Sequence, residues 1–468
     1  MKKKNRLSIL IIAIKGIATL QAALILILLS FNFETILAQN GWVKTFGEEY
    51  YDVGVGSFQT PDGGFITSGN TNGFDCAKPS TYIIKTDALG NQIWYKTIQI
   101  DSFSTYINCI NITSDGGYII AGSITGFSGN SDFFMLKTDE NGNKIWHKSF
   151  DCKLIDCIYS ITQISGGGYV FAGYAYDTTN YNTDLFYLKT DMFGNEIWRK
   201  TYNNNSVTTY AYSIKTAFDG GYIIVGKTVL NNINNGLVIK TDSDGNVIWE
   251  KTYNSFEFGD GLTDLTKSTD GGYIVCGYNG PGCGQEGAYD IRIRKIDSNG
   301  NEIWAILSHQ LQSTVSNFVL HSISRTNDNN YVAVGVAYNE NMNLNSDVYF
   351  IKFNESGEIL FDTIMDFYEC DFIKNINLCD DGGFILTGYS SNNPPYYDVL
   401  LIKTNSNGML NVEGNNNSNF DFVNVFPNPA TEGNIKISVE NNEFLQLNIN
   451  IFDFTGKTII NPHCSLIR

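Results

Sequence analysis

Short apolar runs bounded by glycine recur along most of the chain. The clearest is Tyr222–Val225, which follows Gly220–Gly221 and ends before Gly226. A run of this length, apolar at every position and flanked by glycine, is typical of a β-strand that is buried on both faces. Because no stretch of the repeated region shows a convincing helical period, we expect an all-β fold.

Three further strands are predicted around each apolar run. In the same copy they are Tyr212–Thr216 before the run, and Leu237–Thr241 and Val247–Tyr253 after it. Asp219–Gly221 and Asp244–Asn246 have the residues of tight turns. Four short antiparallel strands in about 50 residues make a unit of the size of one propeller blade.

Two glycine markers give the number of copies. One closes the apolar run and the other lies in the turn before the last strand, and each occurs seven times in the same register, which predicts seven blades. The first marker is Gly69, Gly122, Gly173, Gly226, Gly277, Gly335 and Gly388, and the second is Gly90, Gly142, Gly194, Gly245, Gly300, Gly357 and Gly408.

The two ends of the repeated region complement each other. The seventh copy breaks off after Gly408 without its last strand, whereas Trp42–Gly47 matches that strand and has nothing before it to complete a copy. Pairing these two segments would remove two exposed sheet edges. We therefore predict a seven-bladed β-propeller over residues 40–410, closed by its N-terminal strand. An open β-solenoid is the alternative, and it would have shorter repeats.

Two finer expectations concern the copies themselves. The sixth copy has Asn329–Asn330 in place of the paired glycines and Leu360 where we align the tryptophan, so we expect a less regular blade there. We also expect the glycine-flanked run, such as Tyr222–Val225, to be the strand nearest the axis of the propeller.

The first 38 residues have the pattern of an export signal. Lys2–Lys4 and Arg6 precede the apolar run 16–33, and Ala38 is the small residue that a signal peptidase requires. We predict a signal peptide over residues 1–38 and no membrane span after its removal. An uncleaved membrane anchor is the alternative.

The composition changes after Gly408. Residues 411–420 are rich in Asn and poor in apolar residues, which is typical of a linker. The Phe-Pro-Asn-Pro sequence at 426–429 and the turn Asp453–Lys457 follow. These motifs resemble the C-terminal sorting domain of proteins exported by the type IX secretion system of Bacteroidetes.

This resemblance implies that the chain is translocated across the outer membrane by the type IX secretion machinery. It also implies release, or attachment to surface lipopolysaccharide, so we expect a secreted or outer-cell-surface protein. Such domains continue through a Gly-x-Tyr strand to a last basic and apolar strand, whereas this sequence ends at 463–468 with His-Cys-Ser-Leu-Ile-Arg. We therefore expect residues 421–468 to form a small, partial β-sandwich sorting domain.

Charge and cysteine content narrow the possible partners. The formal net charge of −17 disfavours binding to nucleic acid and to anionic membrane surfaces. Nine cysteines suit an oxidising destination. Cys276 with Cys283, and Cys152 with Cys157, are candidate disulfides, and small buried residues are the alternative.

Residues that recur in every copy are expected to serve the blade, because a catalytic group is needed only once. We expect the recurrent tryptophans to form the core between blades, and the recurrent lysines to form salt bridges or hydrogen bonds between strands. The turn Asp242–Asn246 has too few carboxylates for a calcium loop, and we predict no metal site and no cofactor. The lysines are Lys85, Lys137, Lys189, Lys240, Lys295, Lys352 and Lys403.

The segments that differ between copies are the better candidates for a binding site. The loops after the apolar strand vary in length and are rich in Asn, Gly and Tyr, and function is often carried by such loops on a rigid scaffold. We take six tyrosines within these loops as candidate ligand-binding residues: Tyr174, Tyr176, Tyr278, Tyr338, Tyr389 and Tyr396.

The favoured function is an exported binding or adhesion module that recognises a glycan or a surface protein, since the sequence contains none of the common catalytic motifs. The alternative is an extracellular glycan hydrolase or lyase that uses carboxylates in the central channel. A purely structural surface protein is a third possibility. Non-repeated Asp and Glu at the channel mouth would favour the enzyme, whereas Asn and Tyr would favour binding.

Overall fold

The computed structural model describes most of the chain between residues 41 and 410. The described ranges are 41–47, 50–73, 79–100, 103–125, 131–150, 155–177, 182–202, 207–230, 233–253, 259–280, 290–307, 317–338, 346–393 and 396–410, together with four short strands beyond them. The chain divides into two compact units, residues 1–411 and 412–468. The predicted signal peptide (1–38) and linker (411–420) lie outside the described residues.

The described part of the first unit contains 28 strands. The N-terminal strand is β1 (Trp42–Phe46). Sheet 1 contains β2 (Asp52–Gln59), β3 (Phe65–Thr71), β4 (Ser80–Thr86) and β5 (Gln92–Ile98). Sheet 2 contains β6 (Ser104–Ile112), β7 (Tyr118–Thr125), β8 (Ser131–Thr138) and β9 (Lys144–Phe150). Sheet 3 contains β10 (Ile155–Gln163), β11 (Tyr169–Asp177), β12 (Asn182–Thr190) and β13 (Glu196–Tyr202).

The remaining strands follow in the same order. Sheet 4 contains β14 (Thr208–Thr216), β15 (Tyr222–Leu230), β16 (Ile233–Thr241) and β17 (Val247–Tyr253). Sheet 5 contains β18 (Gly259–Lys267), β19 (Tyr273–Gly280), β20 (Asp290–Ile296) and β21 (Glu302–Leu307). Sheet 6 contains β22 (Asn317–Arg325), β23 (Tyr331–Tyr338), β24 (Ser346–Phe353) and β25 (Ile359–Met365). Sheet 7 contains β26 (Cys370–Leu378), β27 (Phe384–Asn393), β28 (Tyr396–Thr404) and β1.

Each sheet consists of four antiparallel strands, and in sheets 1 to 6 these strands are consecutive in the chain. Sheet 7 takes its fourth strand from the N-terminus, since Trp42 pairs with Lys403 and Phe46 with Val399. Single parallel pairs, Ser131 with Ile155 and Ser346 with Cys370, connect sheet 2 to sheet 3 and sheet 6 to sheet 7.

The first strand of each sheet contacts the first strands of the neighbouring sheets, and β26 of sheet 7 contacts β2 of sheet 1. The expectation that the glycine-flanked run lies innermost is therefore wrong, because that run is the second strand of its sheet. The glycine that ends this run instead allows the first and second strands of the sheet to approach each other closely. A Cβ on Gly226 would lie 1.9 Å from the carbonyl oxygen of Tyr210 on the first strand.

Apolar side chains fill the space between adjacent sheets. Ile66 and Ile83 of sheet 1 pack in one buried cluster with Ile107 and Ile120 of sheet 2. At the same junction, the Trp94 ring of sheet 1 lies against Gly142, the turn glycine of sheet 2. A Cβ on Gly142, whose φ is +74°, would lie 2.8 Å from that ring.

Six of the seven recurrent lysines form ion pairs with an aspartate in the turn between the first two strands of their own sheet. Lys85 Nζ lies 2.9 Å from Asp62 Oδ2 and also donates to the carbonyl of Thr86. Sheet 3 is the exception, because its turn lacks the aspartate and Lys189 donates to the carbonyl of Ser243. The corresponding pairs are Lys137–Asp115, Lys240–Asp219, Lys295–Asp270, Lys352–Asp328 and Lys403–Asp381.

The sixth copy keeps the four-strand pairing of the others. Asn329 adopts a φ of +62° in its turn, where the other copies use glycine. Phe361, which pairs with Lys352, occupies the position that Trp304 holds opposite Lys295 in sheet 5. The alignment of Leu360 with the tryptophan is therefore wrong by one residue, and Leu360 is 45% exposed.

Cys276 is a free cysteine in the structure. The candidate disulfides Cys152–Cys157 and Cys276–Cys283 both stay predictions, because Cys152 and Cys283 lie outside the described residues. The second unit contains two strand pairs in its described part. They are β29 (Phe422–Phe426) with β30 (Lys436–Glu440), and β31 (Ile451–Phe452) with β32 (Thr458–Ile459).

Candidate ligand-binding cavity

Every first strand contains a β-bulge at the same register position. In sheet 3, Ile158 pairs with Gly173 and Ser160 pairs with Ala172, so Tyr159 between them has no partner on β11. A bulge bends the strand and redirects the side chain of the extra residue. The seven extra residues, called here the bulge residues, are Val55, Asn108, Tyr159, Tyr212, Thr263, His321 and Lys374.

All seven bulge residues line one cavity of about 460 Å³, called here the central cavity. Cavities of about 300–1,000 Å³ are typical of small-molecule sites. The copies have the bulge in common but not the residue at it, so the cavity is polar on some sides and aromatic on others. Other polar lining residues are Asn111, Ser160, Ser213, Lys215, Asp264, Ser322, Asn375 and Asn377.

Tyrosine rings form one side of the central cavity. The ring centroids of Tyr159 and Tyr212 lie 5.4 Å apart in an edge-to-face arrangement. Tyr174 supports Tyr159 at 5.8 Å and contacts Tyr210 at 5.1 Å. Burial, followed by the charges of Cys157 and Tyr174, raises the pKa of Tyr159 well above its usual range. The Tyr159 hydroxyl therefore stays protonated at neutral pH.

The opposite side carries a lysine and a histidine. Lys374 Nζ lies 5.6 Å from the centroid of the Tyr389 ring, and burial lowers the pKa of Lys374 to about 8. The His321 ring packs on Phe372 at 4.8 Å. Burial, followed by the charge of Lys374, lowers the pKa of His321 to about 4. At neutral pH this side therefore presents an ammonium group and a neutral imidazole.

Asp264 is the one carboxylate among the described residues that line the cavity. Its Oδ1 accepts a hydrogen bond of 2.8 Å from Ser213 Oγ, and its Oδ2 accepts one of 3.0 Å from Ser322 Oγ. Lys215 Nζ lies 3.9 Å from Oδ1. Since Ser213, Asp264 and Ser322 belong to β14, β18 and β22, this carboxylate connects three adjacent sheets.

The six tyrosines chosen from the sequence lie in strands and not in the loops. Tyr174 and Tyr176 belong to β11, Tyr278 to β19, Tyr338 to β23, Tyr389 to β27 and Tyr396 to β28. Two of them support cavity residues, since Tyr174 contacts Tyr159 and Tyr389 stacks on Phe372 at 4.8 Å. Tyr396 is 53% exposed. Their role in binding remains a prediction.

Sequence reasoning missed the bulge residues, although a signal for them exists. Each is the tenth residue before the aromatic residue that opens the second strand, as Tyr159 is before Tyr169 and Lys374 before Phe384. The residue type at this position changes from copy to copy. A search for recurrent motifs therefore passes over it.

Comparison with known families identifies the C-terminal segment. Residues 424–466 match the secretion system C-terminal sorting domain. No curated protein is significantly similar to the chain in sequence.

Several solved structures are similar to this chain in overall structure alone. The polysaccharide lyase Uly1 aligns over 75% of this chain and 90% of its own, with 8% identity and a TM-score of 0.48. A protein of unknown function from Dyadobacter fermentans DSM 18053 aligns over 78% and 98%, with 9% identity and a TM-score of 0.46. The Pan2 WD40 domain of Neurospora crassa aligns over 77% and 98%, with 11% identity and a TM-score of 0.44.

Among the described residues, no helix has the length and apolar character needed to cross a membrane. The resemblance found in the sequence is confirmed by the family match at residues 424–466. The chain thus combines repeated four-stranded sheets with a sorting domain of the type IX secretion system, which marks proteins that are secreted and attached to the outer cell surface.

Proposed function

We propose that this protein is a cell-surface binding module in which seven blades close into a propeller and the central cavity binds an acidic carbohydrate. The observation that carries the proposal is the set of bulge residues. Each of the seven first strands places its bulge residue in the lining of the same cavity, and six different residue types occur at these seven positions. A repeated scaffold with a non-repeated lining is suited to recognition of one specific ligand.

Closure of the ring is supported by contacts between sheets 1 and 7. Tyr82 and Ile84 of sheet 1 pack in one buried cluster with Val399 and Leu401 of sheet 7. Asn377 Nδ2 of β26 also donates a hydrogen bond of 2.8 Å to the carbonyl of a β2 residue, Ser57. Equivalent apolar clusters join the other neighbouring sheets, and this likeness supports a closed ring.

The chemistry of the cavity favours a polyhydroxylated ligand that carries a carboxylate. The Tyr159 and Tyr212 rings offer the apolar and aromatic surface on which sugar rings pack, and tyrosine hydroxyls and asparagine amides can bond to sugar hydroxyls. On the other side, Lys374 supplies an ammonium group with no carboxylate within salt-bridge distance among the described residues. A ligand carboxylate would supply that missing counter-charge.

The hydrolase or lyase alternative receives less support from the same residues. Glycoside hydrolysis generally uses two carboxyl groups that flank the scissile bond. The described lining contributes Asp264 alone, and both of its oxygens accept hydrogen bonds from serine. By the criterion set from the sequence, a lining of Asn and Tyr favours binding.

The proposal is tested by calorimetric titration of the purified full chain with D-glucuronic acid and, as the neutral control, D-glucose. We expect glucuronic acid to bind more tightly than glucose. Lys374→Met should abolish this preference by removing the charge while keeping most of the side chain. Lys200→Met is the matched control, because Lys200 lies on an outer strand, where it donates to Asn246. Equal binding of both sugars by the wild type, or equal effects of the two variants, would overturn the proposal.

A further inference from the structure

Three aspartates from sheets 6 and 7 that do not line the central cavity come together. Asp347 lies on β24, Asp366 in the connection between β25 and β26, and Asp371 on β26. One carboxylate oxygen from each lies within 4.8 Å of the others. The local backbone is held in place, since Ser346 pairs with Cys370 and Ser346 Oγ donates to the carbonyl of Asp371 at 3.0 Å.

Asp371 is fully buried, and one of its two oxygens is unsatisfied. Oδ2 accepts hydrogen bonds from the backbone N–H groups of Phe367 at 2.8 Å and Tyr368 at 3.1 Å. Oδ1 is buried and has no hydrogen-bond partner in the described part of the chain. An unsatisfied oxygen on a buried carboxylate costs free energy unless a ligand meets it.

The neighbouring charges increase this cost. Asp347 is partly buried and Asp366 is exposed. Burial, and then the charges of Asp347 and Asp366, raise the pKa of Asp371 to about 7, although the two backbone N–H groups oppose the shift. Three carboxylates at this spacing therefore repel one another when all are ionised.

Asp260 in sheet 5 holds the register position that Asp371 holds in sheet 7, and there arginine side chains balance the buried charge. Asp260 on β18 is also fully buried, and Arg294 donates to its Oδ2 at 2.8 Å. Arg292 lies 3.5 Å from Oδ1, to which Asn279 donates at 2.7 Å. Asp371, by contrast, has no lysine or arginine within 4 Å in the described residues. The described surroundings of Asp371 therefore lack a positive charge to balance its carboxylate.

A different solution appears between sheets 1 and 2. Ser80 on β4 and Thr105 on β6 hold the register positions that Asp347 and Asp371 hold between sheets 6 and 7. Thr105 Oγ1 accepts a hydrogen bond of 3.0 Å from the backbone N–H of Thr81. At these two positions a junction between sheets thus forms without charged residues, and the chain itself supplies an uncharged replacement pair.

We propose that Asp347, Asp366 and Asp371 bind a divalent cation, with Ca²⁺ as the ion that fits best. The donors are hard oxygen atoms, which Ca²⁺ prefers, and its flexible coordination can be completed by water and backbone carbonyl oxygens. Because two ligands come from sheet 6 and its exit and the third from sheet 7, the ion joins adjacent sheets and stabilises their junction. This inference is independent of any ligand in the central cavity.

The test is calorimetric titration of the full chain with CaCl₂ after treatment with EDTA, combined with thermal unfolding at both calcium levels. We expect binding in the range of about 10⁻⁴–10⁻³ M that is typical of extracellular calcium modules, and a higher melting temperature with Ca²⁺. The double variant Asp347→Ser/Asp371→Thr copies the Ser80/Thr105 junction, so it should fold and bind one Ca²⁺ fewer than the wild type.

Two controls make the result decisive. Asp366→Asn should weaken Ca²⁺ binding with little effect on folding, since Asp366 is exposed. Asp244→Asn removes an exposed carboxylate in the turn of sheet 4 and should leave calcium binding unchanged. If the double variant binds as many Ca²⁺ ions as the wild type, or if the wild type binds none at 10 mM CaCl₂, the site does not exist; the concentration is set roughly tenfold above the weakest expected affinity.

Discussion

Trp42 Nε1 donates a hydrogen bond of 3.1 Å to the carbonyl of Ala88, and the Trp42 ring lies against Gly90, so that a Cβ there would be 2.8 Å from it. The same relationship joins sheets 4 and 5, where Trp249 donates to Ser298 at 3.1 Å beside Gly300. The N-terminal strand therefore contacts sheet 1 as the last strand of one sheet contacts the next.

Gly90→Ala tests this contact. The substitution adds a Cβ at a φ of +75° and against the Trp42 ring. Gly63→Ala adds one at a φ of +79° with nothing within 4 Å, so it reports the backbone cost alone. We expect about 1 kcal/mol for the backbone at both positions, and about 1–3 kcal/mol more for Gly90→Ala from overpacking, in the free energy of unfolding measured with denaturant.

The Trp42→Ala background provides the control for that comparison. Without the indole ring, the costs of Gly90→Ala and Gly63→Ala should become equal, because only the backbone term remains. An excess cost at Gly90 that persists without the ring would show that Trp42 does not make this contact in solution.

Removal of the N-terminal strand should be far more damaging than a point substitution. A chain that begins at residue 48 leaves the edge of β28 unpaired and removes Trp42 and Phe46 from the cluster they share with Tyr82. We expect it to lose cooperative thermal unfolding, whereas a chain that begins at residue 40 keeps it. Similar melting of the two chains would mean that the sheets do not depend on closure.

The lysine–aspartate pairs should differ in importance according to burial. In sheet 7 both side chains are enclosed, with Lys403 0% and Asp381 9% exposed, and Nζ lies 2.7 Å from Oδ2. In sheet 4 the aspartate of the pair, Asp219, is 56% exposed. Asp381→Asn leaves a buried ammonium group unpaired and should cost about 3 kcal/mol or more. Asp219→Asn should cost under about 1 kcal/mol, since water reaches its site.

The two costs are compared by denaturant unfolding at pH 7. The double variant Asp381→Asn/Lys403→Met serves as the control, because it removes both charges and should recover part of the loss. Equal costs for the two single variants would contradict the assignment of Lys403–Asp381 as the more buried pair.

The same pairs predict loss of stability in acid. The hydrogen bond from Lys295, followed by that from Ser268, lowers the pKa of Asp270 to about 2. A carboxyl group whose pKa falls on folding stabilises the folded state while it is ionised. Its contribution is therefore complete above the unfolded pKa of about 4 and is lost as the pH falls towards about 2. The pKa values of Asp62 and Asp328 are also lowered to about 2.

Melting temperatures recorded between about pH 5 and pH 2 check this prediction. The triple variant Asp62→Asn/Asp270→Asn/Asp328→Asn should melt lower at pH 5 and should show a shallower fall towards pH 2. A triple variant with the same pH profile as the wild type would mean that these pairs do not control acid stability.

The repeat made much of the fold predictable. Turn glycines such as Gly142 occur in every copy, and tryptophans such as Trp94 occur at one position in all copies but the sixth; the structure places Trp94 and Gly142 in contact between sheets. The expected ion pairs of the recurrent lysines are also present in six of the seven sheets. Residues that serve every sheet leave a periodic signal that a single sequence reveals.

The candidate sites left no such signal, for two physical reasons. A bulge residue such as Tyr212 is defined by a shift in strand pairing, and the residue type at that position varies among the copies. Asp347 and Asp371 are brought together by the junction of two sheets and belong to no sequence motif. The prediction that no metal site exists considered turns such as Asp242–Asn246 and so did not consider this junction.

The pKa of the Lys374 amine, measured by NMR after isotopic dimethylation and assigned with Lys374→Met, tests the central claim most directly. Burial of Lys374 predicts a pKa of about 8 in the free protein, below that of an ordinary lysine. D-glucuronic acid should raise this pKa, because its carboxylate stabilises the ammonium form, and its affinity should fall as the pH rises above about 8. An ordinary lysine pKa that glucuronic acid does not change would contradict the account.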